Sequence, residues 1–200
     1  MKKIMFNDKY GLTQAVLEGR KTMTRRVANA WERQDGTLSG WMPGAYKEGE
    51  EVAVAQKYID LKDCDAFYEC MHKDDPYMPL ECIKGEKGAY NKMFVKAAWM
   101  PHRIKITNIK VERLQDICEE DALREGVQMF DTPEGKVYVA GGVYVGEDAR
   151  LKIAKGMINL AKPFGTAREA FAVLIDKVSG KGTWESNPWV FVYEFELLNS

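Results

Sequence analysis

The segment Gly19–Arg26 reads GRKTMTRR, and crowds Arg20, Lys21, Arg25 and Arg26 around the hydroxyls of Thr22 and Thr24. Two readings compete for it. One is a solvated basic turn between two elements. The other is a pocket for an anion or a polar nucleobase, in which like-charge crowding disfavours the ammonium form of Lys21 and makes that lysine reactive. The second reading requires partners from elsewhere in the chain.

Other reactive side chains offer less. Cys64, Cys70, Cys82 and His72 can be drawn as a zinc set, but their spacing lacks the tight pairs of common zinc modules, so no metal is assigned to them. Cys118 stands alone. His72 lies in an irregular stretch and His102 sits beside Arg103, neither near a nucleophile motif, so a Cys-His or Ser-His hydrolase is not expected. The Ala140-Gly-Gly142 run reads as a turn rather than a phosphate loop, and no cofactor is called for.

The chain has 200 residues, 30% of them charged and 46% hydrophobic, with a net charge of −1. That composition suits a single globular domain over 1–200, with a core that needs no metal or disulfide staple. It excludes a broadly basic nucleic-acid coat, so any such contact must be a local patch. No apolar run reaches membrane-spanning length, and nothing after Lys2-Lys3 reads as a signal peptide. The expectation is a cytoplasmic protein with reduced thiols and no membrane partner. The sequence does not fix an oligomeric state.

The elements that must position the basic segment are legible in part. Ile4-Met5-Phe6 reads as a first strand, with Asn7 or Asp8 capping a helix that carries Leu12, Ala15 and Val16 on one face and stops at Gly19. Trp31 to Tyr46 reads as a loop. Val52 and Val54 alternate as a strand with one buried face. From Asp60 to Met100 the periodicity dissolves, and the stretch reads as an insertion too broken by Pro and Gly for a core of its own. In HRIKITNIKVERLQDI, Ile104 and Ile106 share one parity while Ile109 and Val111 share the other, which predicts a bulge or bend at Thr107-Asn108. Asp116 is the expected cap of a helix ending at Gly126. Alternation around Gly141-Gly142 reads as a hairpin inside a second irregular region, 129–164. Thr166 with Glu169 forms a capping box before a half-buried helix that ends at Gly180, and a final strand aligns Trp189, Phe191, Tyr193 and Phe195.

Three stretches in this order, LEGRKTMTRR, KVERLQDICEEDALREGV and GTWESNPWVFVYEFEL, resemble the ASCH-domain family, small relatives of PUA-like RNA-associated domains, and in particular its longer bacterial and phage members. The likeness touches the front, middle and end of the chain, and is least over about 60–100 and 129–164. It implies an α+β fold: a small PUA-like β-barrel flanked by helices, carrying two irregular insertions. Some small ASCH proteins are amidohydrolases that remove acetyl from N4-acetylcytidine with a lysine, a threonine and a glutamate; others are associated with binding or cleaving RNA. Carried over by position, the resemblance implies Lys21, Thr24 and Glu125. This chain is considerably longer than the small hydrolases, so its insertions can reshape the pocket.

Three functions follow as expectations. The first is an amidohydrolase on acylated cytidine, with Lys21 as base, Thr24 as nucleophile or water holder, and Glu125 as proton shuttle. The second is a non-catalytic module for single-stranded RNA, with Arg20, Arg25, Arg26, Arg103 and Lys105 on phosphates and Trp41 or Trp184 stacking on bases. The third is a ribonuclease using the same cleft. The near-neutral charge favours a small nucleoside over a long RNA track.

Overall fold

The computed structural model describes residues 1–35, 37–42, 44–132, 135–141 and 164–198. The fold is α+β. Its centre is a five-stranded mixed sheet of β1 (Lys2–Ile4), β5 (Glu51–Val54), β6 (Arg103–Arg113), β9 (Trp189–Leu198) and β2 (Met23–Val27), in that spatial order. The β1–β5 pair is parallel and the other three are antiparallel.

Among the described residues the hydrogen-bonded ladder does not close into a barrel, and β1 and β2 remain its edges. The sheet is nevertheless strongly curled. Strands lie about 4.8 Å apart, so β1 and β9 would stand roughly 14 Å apart in a flat sheet. Phe6, just past β1, instead meets Phe195 of β9 with ring centroids 5.8 Å apart. Part of the curl comes from β6, whose register against β9 shifts between Ile106 and Asn108 and leaves Thr107 as the extra residue. This is the bulge that the parity switch predicts.

Helix α1 (Leu12–Leu17) follows a short 3-10 turn, Asp8–Tyr10, capped by the Asn7 side chain. Helix α3 (Glu119–Arg124) is capped by Cys118, whose sulfur accepts from Asp121 N, and not by Asp116, which a preceding 3-10 turn, Leu114–Asp116, has already used. Helix α4 (Ala167–Ser179) starts at Thr166, whose hydroxyl accepts from Glu169 N at 3.1 Å. A one-turn helix α5 (Thr183–Ser186) leads into β9.

One region read as a loop and one read as irregular are more regular than expected. β3 (Ala30–Glu32) and β4 (Leu38–Trp41) form a ribbon that takes up much of the expected loop at 31–46. β7 (Gln128–Thr132) pairs with β8 (Gly135–Val139), and Tyr138 bridges to Phe164. The second arm of the hairpin expected at Gly141-Gly142 lies outside the described residues.

The Asp60 to Met100 stretch also departs from expectation, because it has a core. It holds helix α2 (Asp65–Asp74) and several 3-10 turns, which bury Phe67, Met71, Ile83, Val95, Trp99 and Met100 in a separate apolar cluster. Strand β5 divides the two cores. Val52 and Val54 face the main cluster while Ala53 and Ala55 face the second, so both sides of the strand are covered rather than one. The second unit is tied back by Lys92, whose ammonium donates to Phe6 O at 2.8 Å, Thr13 Oγ1 at 2.7 Å and Asp8 Oδ1 at 2.5 Å.

Candidate functional site

Two helix exits build the site. Past α1, Gly19 takes the left-handed conformation (φ 71°) and the chain doubles back, so that Lys21 N donates to Ala15 O at 2.8 Å. Thr22 N then bonds to Arg124 O at 3.0 Å, which ties this turn to the end of α3. There Glu125 closes the helix and Gly126 (φ 104°) turns the chain away. A Cβ on Gly126 would stand 3.0 Å from Leu12 Cδ2 and 3.6 Å from Lys21 Cδ, so glycine serves both the positive φ and the close approach.

The exits meet across 104 residues. The Lys21 ammonium donates to Glu125 Oε2 at 2.6 Å, to Glu125 O at 2.7 Å and to Met23 O at 2.7 Å. All three of its hydrogens are thus taken, as suits a lysine that is 2% exposed. Burial holds its pKa below the ordinary lysine value; Glu125 opposes that shift, and Arg26 and Arg25 reinforce it. The Phe6 ring lies beneath the amine, 5.8 Å from ring centroid to Nζ.

Arg25 is a strut. Its Nη1 reaches Glu125 Oε1 at 3.2 Å, its Nη2 reaches Glu112 Oε1 at 2.6 Å and Asp121 Oδ2 at 2.9 Å, and its Nε also donates to Glu112. Burial disfavours the charged guanidinium, but Glu125, Glu112 and Asp121 outweigh it and hold the pKa above the usual arginine value. With its side chain fully buried and its donors on carboxylates, Arg25 is not the free phosphate contact that the sequence suggests.

Lys21, Thr24, Arg25, Arg26 and Glu125 line one cavity of about 290 Å³. Lys21 precedes β2, so strand alternation does not set it against Thr24. Thr24 is buried, and its hydroxyl makes no hydrogen bond among the described residues. Opposite this polar floor, Phe171, Leu174, Ile175 and Val178 of α4 form an apolar wall at i, i+3, i+4, i+7 spacing. Met5, Phe6 and Asn7, just past β1, complete the rim, with Arg26 Nη2 donating to Met5 O at 2.7 Å.

Comparison with family models, curated proteins and solved structures finds no match. The ASCH resemblance therefore rests on the quoted motifs.

The remaining candidates stand apart from the cavity. Arg20 turns to Glu18, 2.5 Å away. Arg103 and Lys105 pair opposite Leu198 and Glu196, at the far end of β6 from Glu112. Trp41 is exposed on the β3–β4 ribbon, and Trp184 packs edge-on to Phe171 under Arg168. None of these five residues lines the cavity around Lys21, and Trp184 reaches it only through its contact with Phe171. Among the described residues, no group of three His, Cys, Asp or Glu side chains is arranged to hold a metal, and no helix is long and apolar enough to cross a membrane.

Sequence reasoning missed Glu112 and Asp121, the acids that neutralise Arg25. The available signal was electrostatic: four clustered cations in a chain of net charge −1 need acids nearby, but nothing in their spacing says which ones.

Proposed function

We propose that the chain is an ASCH-type, PUA-like domain whose cavity takes a modified nucleoside and hydrolyses an amide on it, with N4-acetylcytidine as the model substrate. The observation that carries this reading is the convergence on one cavity of the buried Lys21–Glu125 pair and the Thr24 hydroxyl, which is unpartnered among the described residues. The curled sheet, whose edges are bridged by Arg26 and Met5, supports the PUA-like architecture.

The pair at 2.6 Å provides both halves of acid–base catalysis. Passing one proton from the Lys21 ammonium to the Glu125 carboxylate leaves an amine base and a carboxylic acid, with no change in net charge. The amine takes the proton of the attacking hydroxyl, either that of Thr24 or of a water it holds, as oxygen adds to the acetyl carbon. Glu125 returns a proton to the departing exocyclic amine as the C–N bond breaks. Cytidine leaves with that proton; where Thr24 is the nucleophile, a water then hydrolyses its acetyl ester with the same acid–base pair, and by either route acetate leaves with one water consumed overall. The apolar α4 wall keeps other water out.

The scattering of Arg103, Lys105, Trp41 and Trp184 favours a compact ligand over an extended RNA track. The test is turnover of a nucleoside panel that includes N4-acetylcytidine, with products followed by chromatography. We expect acetate release by the unaltered protein and a loss of at least about 100-fold in Thr24→Val, since an acid–base or nucleophilic role supplies that much. Stability should change by less than about 1 kcal/mol, because no hydrogen bond is lost. Binding without turnover would leave the non-catalytic module in its place, and cleavage of RNA would leave the ribonuclease.

A further inference from the structure

A second cavity, of about 150 Å³, adjoins the first. Arg26 and Val27 belong to both. The second is floored by Phe191 and Tyr193 and edged by Asn29 and Gly44. Gly44 is required for that shape: a Cβ there would stand 2.3 Å from Tyr193 Oη, an oxygen that already accepts from Ala45 N at 3.0 Å.

Arg26 differs from its neighbours in the basic segment. Lys21 is neutralised by Glu125, Arg25 by three carboxylates and Arg20 by Glu18. Arg26 has no carboxylate partner among the described residues, and its one hydrogen bond goes to a backbone carbonyl, Met5 O. Arg26 is exposed, and that bond anchors one nitrogen of the guanidinium without cancelling its charge, so its other donors remain open to an oxyanion. The deep cavity, by contrast, carries a balanced Lys21–Glu125 pair and favours a neutral polar group.

We propose that the two cavities form one bipartite site for a phosphate-bearing nucleotide, with the base and its acyl group over Lys21 and the phosphate at the Arg26 junction. This rests on the nucleoside reading above and narrows it from a free nucleoside to a nucleotide, either a monophosphate or a residue within an RNA strand.

Calorimetric titration with N4-acetylcytidine, its 5′- and 3′-monophosphates and a short acetylated oligoribonucleotide tests the proposal. A phosphorylated form should bind about tenfold or more tightly than the nucleoside, as a charge-assisted contact provides. Arg26→Met should erase that gain, so that nucleoside and phosphorylated forms bind alike, whereas Lys84→Met, at an exposed lysine outside both cavities, should keep it. A gain confined to monophosphates assigns the site to free nucleotides, and a gain confined to the oligonucleotide assigns it to RNA. If Arg26→Met fails to fold, salt titration of the unaltered protein decides instead, because affinity for the phosphorylated form alone should weaken as salt rises. Equal affinity for nucleoside and nucleotide, or a gain that survives Arg26→Met, overturns the bipartite site while leaving the nucleoside reading intact. Binding of neither form overturns both.

Discussion

The two apolar clusters that meet at β5 solve the same packing problem with different materials. The second buries Tyr58, Phe67, Met71, Trp99 and Met100, and its polar atoms are confined to the periphery, where Trp99 Nε1 donates to Asp74 and Tyr58 Oη accepts from Lys96 N. The main cluster instead borders a buried lysine, arginine and glutamate. Ions out of water cost several kcal/mol each before pairing repays them, and well-packed apolar residues often do as well or better. The second cluster demonstrates that this chain can build a core without that cost. The needs of packing alone therefore do not account for the ions near the main cluster.

The largest effect should come from breaking the ion pair on one side. Glu125→Leu leaves Lys21 buried and uncompensated, and should cost about 3–5 kcal/mol in urea unfolding. Adding Lys21→Met should restore most of that loss while hydrolysis stays absent. A double variant as unstable as the single one would mean that the pair serves stability after all.

Trp99→Ala should cost a similar ~3–5 kcal/mol through the cavity it opens, and no polar substitution should rescue it. Wherever the variant remains folded, nucleoside affinity should stay within about threefold. A collapse of binding would show that the two clusters do not act independently.

Lys92→Met probes their connection. Losing the contacts to Phe6 O, Thr13 and Asp8 should lower stability by about 1–2 kcal/mol and loosen the Phe6 segment of the cavity rim, visible as faster amide exchange there. The chemical denaturation midpoint and exchange should move together.

The smallest effect concerns pH. The Lys21 pKa is lower in the folded chain than in the unfolded one, so the unfolded state binds more protons across the interval between the two values. The penalty for charging Lys21 is fully present below that interval. It fades as pH rises through it, and is gone above the ordinary lysine value of ~10.4. Stability of the unaltered protein relative to Lys21→Met should therefore increase toward alkaline pH, and a difference that decreases would reverse the assigned direction.

What could be read in advance followed local periodicity and glycine punctuation. The Ile104/Ile106 to Ile109/Val111 parity switch located the Thr107 bulge, and the stops at Gly19 and Gly126 marked the two exits that meet. The second core was hidden because its large residues sit on 3-10 turns and one short helix, with neither a period of 2 nor of 3.6 to reveal them. The β3–β4 ribbon was hidden because its strands are half-exposed and break the alternation with Gly40 opposite Trp31. Asp116 reads as the cap because a carboxylate accepts well from backbone N–H groups, but it ends the 3-10 turn Leu114–Asp116, and the helix starts two residues later at Cys118. Arg25 and Arg26 look alike in sequence. Only the partner set across the sheet separates a neutralised strut from an uncompensated cation.

The order of the sheet also constrains how the protein comes into being. Strand β2 is joined to the sheet through β9 alone, from Met23 opposite Glu194 to Val27 opposite Val190. Thr24 and Arg26 thus have no ladder to hold them until residues some 165 positions later have been synthesised and inserted between β6 and β2. Pairings of such high sequence separation are slow to form. During translation β2 waits unpaired, so the cavity that Thr24 and Arg26 line is completed only once β9 is in place.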